Sequence, residues 1–282
     1  MFNKLSNYLQ SVRFEETLFS LPFAFVGAIL PKSSFPGLET TFLIIVSMVG
    51  ARTFGMVANR VIDSKIDSLN PRTLNRHLPK GLIHRNELIC LGLIGLVCLF
   101  FAAWQLNYLS LILSPIAAVY LAIYPFSKRF TWLSSFVLGW ALAIAPAGGW
   151  IAVTGTFSFE TLLLSTGVAF WAIAFDTIYH TQDREFYIKH GLYSFAQKFG
   201  LKRSFIISKI FDSVAILSFV SLGVVMGLSN FYYLGCLLAS IGILLRYYYV
   251  TPSDLSKIPK VFMYTNAYFS FAFLIFIFIA VM

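Results

Sequence analysis

Long apolar segments follow one another along almost the whole chain, and only short polar connections separate them. The segments are continuously apolar and do not alternate, which favours α-helices over the strands of a barrel. A helix needs about 20 residues to cross the hydrocarbon core of a bilayer. The pattern therefore predicts nine transmembrane helices, at residues 14–30, 38–58, 88–106, 108–124, 132–153, 160–178, 205–227, 230–250 and 262–281.

Positive charge is concentrated in every second connection between these segments. If the N-terminus is cytoplasmic, the cytoplasmic connections hold the basic residues at 60–85, 128–129, 184–203 and 257–260, and the outer ones hold only Lys32. Lysine and arginine accumulate in the cytoplasmic loops of membrane proteins. The asymmetry therefore predicts an all-α integral membrane protein of nine helices with a cytoplasmic N-terminus.

Composition agrees with this interpretation. Of 282 residues, 58% are hydrophobic and only 12% are charged, against about 25% charged in ordinary soluble domains. No segment resembles a detachable soluble domain, so we expect a single domain over residues 1–282 in contact with membrane lipid. The net charge of +9 follows from the basic loops, and without a reading motif we expect no nucleic-acid partner.

The most polar stretch of the chain is NRVIDSKIDSLNPRTLNRHLPKG, residues 59–81. Asn59, Asp63 and Asp67 are four residues apart, so a helix presents all three on one face. Carboxylate and amide oxygens suit Mg²⁺, which usually combines one or two carboxylates with substrate phosphates. This spacing fits a metal-bridged diphosphate. The alternative is a solvated helix end in which Arg60 and Lys65 pair with the acids.

Basic residues follow the acids in the same stretch. Arg72, Arg76 and Lys80 are also four residues apart. Pro71 and Pro79, however, argue against a single regular helix over this segment. Arginine binds phosphate bidentately, whereas lysine acts as a point charge. The three side chains are therefore expected either to meet phosphate or to anchor the loop on the cytoplasmic side.

A second acidic pattern, FDTIYHTQDREFYIKHG, begins at Phe175 after the sixth predicted span. Asp176, His180 and Asp183 fall at i, i+4 and i+7, and Tyr187 continues the series at i+11, which predicts a single helical stripe. Both acidic patterns follow a span on the same predicted side of the membrane. We therefore expect the two sets of acids to converge on one pocket.

Several segments together resemble the UbiA superfamily of intramembrane prenyltransferases. They are NRVIDSKID with NPRTLNRHLPKG, YPFSKRFTW at 124–132, and FDTIYHTQDREF with GLYSFAQKFG. TLFSLPFAF in the first helix and the region of Asn266 in the last extend the likeness over nearly all the chain. NPRT and GLYS look closest to bacterial quinone-pathway members, either 4-hydroxybenzoate polyprenyltransferases or futalosine-route menaquinone prenyltransferases.

The resemblance implies a helical bundle around a central cavity that opens to lipid, in the bacterial inner membrane with the active site toward the cytoplasm. It also implies transfer of a polyprenyl group from polyprenyl diphosphate to a ring carbon of a hydroxyaryl carboxylate. The acceptor would be 4-hydroxybenzoate or a 1,4-dihydroxynaphthoate, in ubiquinone or menaquinone biosynthesis. The expected cofactor is Mg²⁺.

The motifs of the superfamily assign roles to individual positions. The NxxxDxxxD motif falls on Asn59, Asp63 and Asp67, and the second motif on Asp176 and Asp183, which makes these five the implied metal ligands and the four acids the implied catalytic residues. The last acid of the second motif is absent, because Tyr187 stands in its place. The diphosphate is expected to meet Arg72, Arg76, Lys128 and Lys189, and the acceptor to meet Arg129, Tyr124 and His180.

Two other protein classes use acids on membrane helices. A CDP-alcohol phosphotransferase would need a glycine where Asn59 stands and a DG pair upstream, which this chain lacks. A secondary transporter would place its acids near the middle of the bilayer on broken helices. Here the acids are predicted at helix ends beside basic residues, which favours the prenyltransferase interpretation.

Overall fold

The computed structural model of the chain describes residues 2–281, without the side chains of residues 2, 3 and 18. Eleven α-helices account for most of this range. They are α1 Phe2–Ser11, α2 Thr17–Ile29, α3 Leu38–Leu69, α4 Arg85–Leu106, α5 Tyr108–Ile123, α6 Ser134–Thr154, α7 Phe159–Tyr179, α8 Arg184–Lys189, α9 Phe195–Met226, α10 Asn230–Tyr249 and α11 Ile258–Val281.

Over the described residues, nine helical segments are long and apolar enough to cross a membrane, which confirms the predicted number. Two of the α-helices extend ten or more residues beyond the predicted spans. Helix α3 continues past residue 58 to Leu69, because no proline or glycine interrupts this part of the chain, and it therefore carries the first acidic motif. Helix α9 begins at Phe195 and not at 205, and it kinks at Gly200, whose φ of 79° suits glycine.

Polar side chains fix the ends of several helices. Asn107 separates α4 from α5, and its side chain accepts a hydrogen bond from the amide of Ser110 at 2.9 Å. Ser194 caps α9 in the same way, with the amide of Gln197 at 3.1 Å. Because the first amides of a helix have no partner within it, these caps explain why the helices begin where they do.

The chain forms two compact units. Unit 1 contains residues up to 18 and 38–126, and unit 2 contains residues 19–37 and 127 onward. In unit 1, helices α3 and α4 pack backbone against backbone. A Cβ atom on Gly50 would lie only 2.5 Å from the carbonyl oxygen of Gly95. Small residues allow this close packing of membrane helices, which holds the acid-bearing α3 against α4.

Unit 2 is built around α7, in which 14 of the 21 residues are buried. The ring of Trp171 is fully buried and stacks on Phe269 of α11 at 5.1 Å between centroids, and it also contacts Phe23 of α2 at 5.1 Å. Aromatic pairs at this distance add about 0.5–1.5 kcal/mol beyond their buried area. This packing holds the end of α7, where Asp176 lies, within a rigid apolar core.

Candidate functional site

The first acidic set lies on the last turns of α3. Asp63 is 1% exposed and Asp67 is 4% exposed, so neither carboxylate belongs to a solvated helix end. The side-chain amide of Asn59 donates to Oδ2 of Asp63 at 3.2 Å, which places these two on the same face as their spacing predicted. Buried carboxylates are costly unless they are paired or bind a cation. The two carboxylates on this face therefore favour binding of a cation.

The loop that follows α3 brings a base to one of these acids. Nη1 of Arg76 lies 2.6 Å from Oδ2 of Asp67. The hydroxyl of Thr73 donates to the carbonyl of Asp67 at 3.0 Å, and the side chain of Asn70 accepts from the amide of Arg72 at 3.0 Å. These local bonds fold the loop back onto the helix end. An acidic and a basic group of the motif are therefore in direct contact.

Arg60 is a residue whose position the sequence did not reveal. It was considered there only as a partner of the acids at a solvated helix end, but the structure buries it to 5% exposure. Its Nε atom donates to the carbonyl of Ser11 at 2.9 Å, and its Nη1 donates to Oδ1 of Asn59 at 3.5 Å. Arg60 therefore connects the end of α1 to the first acidic set.

A second charged cluster in unit 1 was also missed. Glu16 accepts from Arg13 and from Nη2 of Arg52, the latter at 3.0 Å, and its side chain is 13% exposed. The available signal was the presence of Glu16 and Arg52 inside predicted spans, because ionisable residues within membrane helices usually face a partner or a cavity.

The second acidic set does not form the single helical stripe that its spacing predicted. Helix α7 ends at Tyr179, residues His180–Asp183 form a 3₁₀ turn, and α8 begins at Arg184. The hydroxyl of Thr181 donates to the carbonyl of Ile178 at 2.6 Å, and the side chain of Gln182 donates to the carbonyl of Tyr179 at 3.0 Å. Such side chains compete with the α-helical bonds, and the tighter turn changes the direction of Asp183.

Within this set, Asp176 and His180 are adjacent. Oδ2 of Asp176 lies 3.2 Å from Nδ1 of His180, yet neither atom has a hydrogen-bond partner of suitable geometry. Asp183 is 2% exposed and Tyr187 is 4% exposed. The ring of Tyr187 lies 5.7 Å from that of His180. The position at which the superfamily has an acid is therefore filled by a buried aromatic ring.

The remaining predicted site residues lie on short elements. Tyr124, Lys128 and Arg129 belong to the 3₁₀ helix Tyr124–Arg129 and are partly buried, and the carbonyl of Lys128 accepts from the amide of Tyr193 at 2.8 Å. Lys189 is exposed in the last turn of α8. The roles assigned to these side chains in binding diphosphate or acceptor stay predictions.

A buried polar network in unit 2 was not anticipated. Asp212 of α9 accepts from Arg246 and Tyr247 of α10, and the Tyr247 hydroxyl lies 2.8 Å from the hydroxyl of Ser208. Ser208 in turn donates to the carbonyl of Ala174 on α7 at 2.7 Å. The signal was again a pair of charged residues inside apolar spans. The network connects α9 and α10 to the backbone two residues before Asp176.

The oxygen-bearing side chains of the two acidic sets are of the kinds that bind Mg²⁺. Within the described part of the chain no group of three or more His, Cys, Asp or Glu side chains is arranged to hold a metal ion. Each acidic set instead supplies two carboxylates, and Mg²⁺ commonly uses one or two carboxylates with waters and substrate phosphates. Oδ2 of Asp176 is buried and has no hydrogen-bond partner, which is the state expected of an oxygen that coordinates a cation.

Comparison with known proteins gives a consistent result. The profile of the UbiA prenyltransferase family matches residues 20–277. The 4-hydroxybenzoate octaprenyltransferase of Aliivibrio fischeri (strain ES114) is 36% identical over 211 residues, which are 75% of this chain and 74% of that protein. The mitochondrial 4-hydroxybenzoate polyprenyltransferase of Dictyostelium discoideum is 34% identical over 73% of this chain and 44% of its own length.

Solved structures share the fold. A UbiA homolog from Aeropyrum pernix K1 superposes with a TM-score of 0.84 at 31% identity, over 94% of this chain and 98% of that one. A UbiA homolog from Archaeoglobus fulgidus, bound to GPP and Mg²⁺, gives a TM-score of 0.76 at 20% identity, over 98% and 99% of the two chains. At 20% identity, the similarity to the Archaeoglobus fulgidus structure shows a shared fold only.

Proposed function

Because the chain belongs to the UbiA prenyltransferase family, we propose that it transfers a polyprenyl group from polyprenyl diphosphate to a ring carbon of a hydroxyaryl carboxylate. The names of the curated relatives favour 4-hydroxybenzoate as the acceptor over a 1,4-dihydroxynaphthoate. The observation that carries the proposal is the buried pair Asp63 and Asp67 with Arg76 beside it. This arrangement suits a site for a metal ion and a diphosphate.

The four acids and Asn59 are proposed to hold Mg²⁺. Asp63 and Asp67 contribute one pair of carboxylates, and Asp176 and Asp183 contribute the other. Bound Mg²⁺ neutralises the diphosphate and so makes it a better leaving group. The amide of Asn59, which already donates to Asp63, orients that carboxylate.

Basic side chains are proposed to bind the donor's phosphates. Arg76 is already beside Asp67 and can donate to a phosphate oxygen from the same position. Arg72 precedes it in the same loop, and Lys128 and Lys189 supply further positive charge. Charge developing on the leaving diphosphate is stabilised by donors that are fixed before the reaction begins, which is usually a large part of catalysis.

The chemical step needs no protein nucleophile. The C–O bond of the donor breaks and diphosphate leaves with the bonding electron pair, so that the allylic carbon becomes electrophilic. The acceptor carbon ortho to the hydroxyl attacks it and then loses its proton to the released diphosphate or to water. Orientation of two bound partners contributes about 7–11 kcal/mol to lowering such a barrier. Arg129 is proposed to bind the acceptor carboxylate, with Tyr124 and His180 near the ring. The apolar helices exclude water from the electrophilic allylic carbon of the donor.

The asymmetry of the basic loops supports a location in the bacterial inner membrane with the N-terminus and the acidic motifs on the cytoplasmic side. A fusion of a cytoplasm-active reporter to the N-terminus tests this orientation. Activity of the reporter is expected, and its absence together with activity of a periplasmic reporter at the same position would reverse the topology.

The function is tested with membranes that contain the full chain. They are incubated with Mg²⁺, a labelled polyprenyl diphosphate and either 4-hydroxybenzoate or a 1,4-dihydroxynaphthoate, and the prenylated product is measured. Asp63→Ala and Asp176→Ala are expected to lower the rate at least about a hundredfold, as expected for loss of about 2.7 kcal/mol of transition-state stabilisation. Glu39→Ala is the matched control, because Glu39 is an exposed acid on the same helix as Asp63.

The proposed function is contradicted if the wild-type protein prenylates no hydroxyaryl acid and forms no more product than Asp63→Ala does. Product formed with the dihydroxynaphthoate and not with 4-hydroxybenzoate retains the reaction class but corrects the acceptor.

A further inference from the structure

The inner side of helix α1 faces the rest of unit 1. Lys4, Tyr8 and Ser11 lie on this side, at positions i, i+4 and i+7 of the helix. Nζ of Lys4 lies 2.6 Å from Oε1 of Glu87 in the first turn of α4. The carbonyl of Ser11 accepts a hydrogen bond from Nε of Arg60 on α3 at 2.9 Å. Helix α1 is therefore held at its beginning by α4 and at its end by α3, which fixes its rotation about its own axis.

The outer side of α1 is divided into an apolar strip and a polar strip. Leu5 and Leu9 form the apolar strip, four residues apart, and their side chains are 58% and 41% exposed. Ser6 and Gln10 form the polar strip, where Nε2 of Gln10 donates to Oγ of Ser6 at 3.2 Å. The two strips are separated by about 100° around the helix. An exposed apolar strip beside an exposed polar strip is typical of helices that lie in a membrane surface.

The two attachment points of α1 lie at nearly the same depth along α3 and α4. These helices are antiparallel neighbours, and a Cβ atom on Gly92 would lie 2.9 Å from Cγ1 of Val57. Arg60 comes three residues after Val57, and Glu87 comes five residues before Gly92. At 1.5 Å per residue, Arg60 and Glu87 therefore differ by only about 3 Å along the helix axes. Because one end of α1 is attached to each of them, α1 crosses the ends of α3 and α4 roughly at right angles to the helix axes.

This depth is the boundary of the apolar segments. The predicted span of α3 ends at residue 58, and that of α4 begins at residue 88. Tyr8 of α1 packs at this level against a buried cluster that includes Val57 and Leu88. The first segment that is long and apolar enough to cross a membrane, Phe14–Lys32, begins three residues after the end of α1. The apolar strip therefore lies at the level where lipid head groups meet acyl chains.

We propose that α1 lies in the plane of the membrane surface and that its apolar strip inserts among the lipid acyl chains. The partner of the strip is the lipid surface at which α3 leaves the membrane and α4 enters it. The polar strip then faces the head groups, and the inner side holds the helix to α3 and α4. This docking is a property of the chain beyond prenyl transfer and does not depend on it.

Photocrosslinking in membranes of cells that express the full chain identifies what covers the apolar strip. The photoreactive amino acid p-benzoylphenylalanine replaces Leu5, Leu9 or Ser6 in separate variants, and mass spectrometry identifies the adducts after irradiation. Phospholipid adducts are expected at Leu5 and Leu9, and several-fold fewer at Ser6, the matched control on the polar strip of the same helix. Val97 is the positive control, because it is 67% exposed within the span of α4.

Hydrogen exchange in phospholipid nanodiscs gives an independent measurement without a bulky label. Leu5→Gln/Leu9→Gln is expected to make the amides of residues 6–11 exchange several-fold faster than in the wild type, because the helix loses its contact with the acyl chains and opens more often. Ser6→Gln is the matched control, since it changes an exposed residue of the same helix outside the apolar strip. It is expected to exchange like the wild type.

Three results overturn the proposal. Crosslinks from Leu5 and Leu9 to protein, either a second copy or another chain, without phospholipid adducts would show that the strip is a protein contact. Phospholipid adducts no more abundant than at Ser6 would place the strip in water. Equal exchange in Leu5→Gln/Leu9→Gln and Ser6→Gln would show that the strip contributes nothing to holding α1. If lipid docks as expected but prenyl transfer is absent, the proposed function fails and the docking of α1 stands.

Discussion

Nη1 of Arg246 lies 3.3 Å from Oδ2 of Asp212 in unit 2, and each side chain is only 4% exposed. Both residues lie within helices apolar enough to cross a membrane, and Tyr247 donates to the same carboxylate. A buried ion pair makes a protein little more stable than an apolar pair of the same size would. Removal of one partner, however, leaves the other charge buried and uncompensated, which is destabilising.

We therefore expect Arg246→Met to lower the free energy of unfolding by about 3–5 kcal/mol. The double variant Asp212→Leu/Arg246→Met is expected to be more stable than Arg246→Met alone, because no charge then remains unpaired. Unfolding of each variant in mixed micelles gives the comparison. A double variant that is less stable than the single one would show that the network contributes more than charge balance.

Arg76 is expected to affect donor and metal in opposite directions. In Arg76→Gln the 2.6 Å contact with Asp67 is lost. The KM for polyprenyl diphosphate should rise about tenfold, because a charge-assisted hydrogen bond contributes about 1.5–3 kcal/mol. Affinity for Mn²⁺ without donor should increase, since Asp67 is no longer neutralised. Steady-state kinetics and electron paramagnetic resonance measure the two effects, with Lys65→Gln as the control; an unchanged KM would exclude Arg76 from donor binding.

Tyr187 offers a test of the missing acid. Because its side chain is only 4% exposed, Tyr187→Asp introduces a carboxylate into a buried position. We expect this variant to melt at a lower temperature than the wild type without Mg²⁺, and to gain more stability from added Mg²⁺, since buried carboxylates are stabilised by a cation. Prenyl transfer is expected to be unchanged or faster.

Thermal melting over a series of Mg²⁺ concentrations gives the comparison, and Tyr187→Phe is the matched control that retains the ring. A loss of activity in both variants would mean that the hydroxyl of Tyr187 itself contributes to the reaction.

Two adjacent glycines of α6 provide a packing test. A Cβ atom on Gly149 would lie 1.9 Å from the carbonyl oxygen of Ala24, whereas one on Gly148 would meet nothing within 4 Å. Gly149→Ala is therefore expected to force α2 and α6 apart and to lower stability by about 1–3 kcal/mol. Gly148→Ala is expected to be neutral or stabilising, because alanine favours the helix by about 1 kcal/mol. Equal melting temperatures for the two variants would contradict the close contact.

The number of membrane helices was predictable from the sequence, because a span needs a long apolar segment and the connections here are short and polar. The proximity of Asn59 and Asp63 was predictable as well, since α3 continues regularly through the motif and regular helical geometry fixes which side chains share a face. The roles of the acids in binding Mg²⁺ rest on the chemistry of their ligand types and stay predictions.

Other features depended on contacts between residues far apart in sequence or on local competition for hydrogen bonds. The end of α7 at Tyr179 follows from side chains that bond to backbone carbonyls, which helical spacing does not reveal. The burial of Arg60 depends on the carbonyl of Ser11, and the pairing of Asp212 with Arg246 depends on the packing of α9 against α10. Sequence determined which residues carry charge within the membrane helices, whereas tertiary structure decided which partner each charge has, because partners are set by distance in the folded chain.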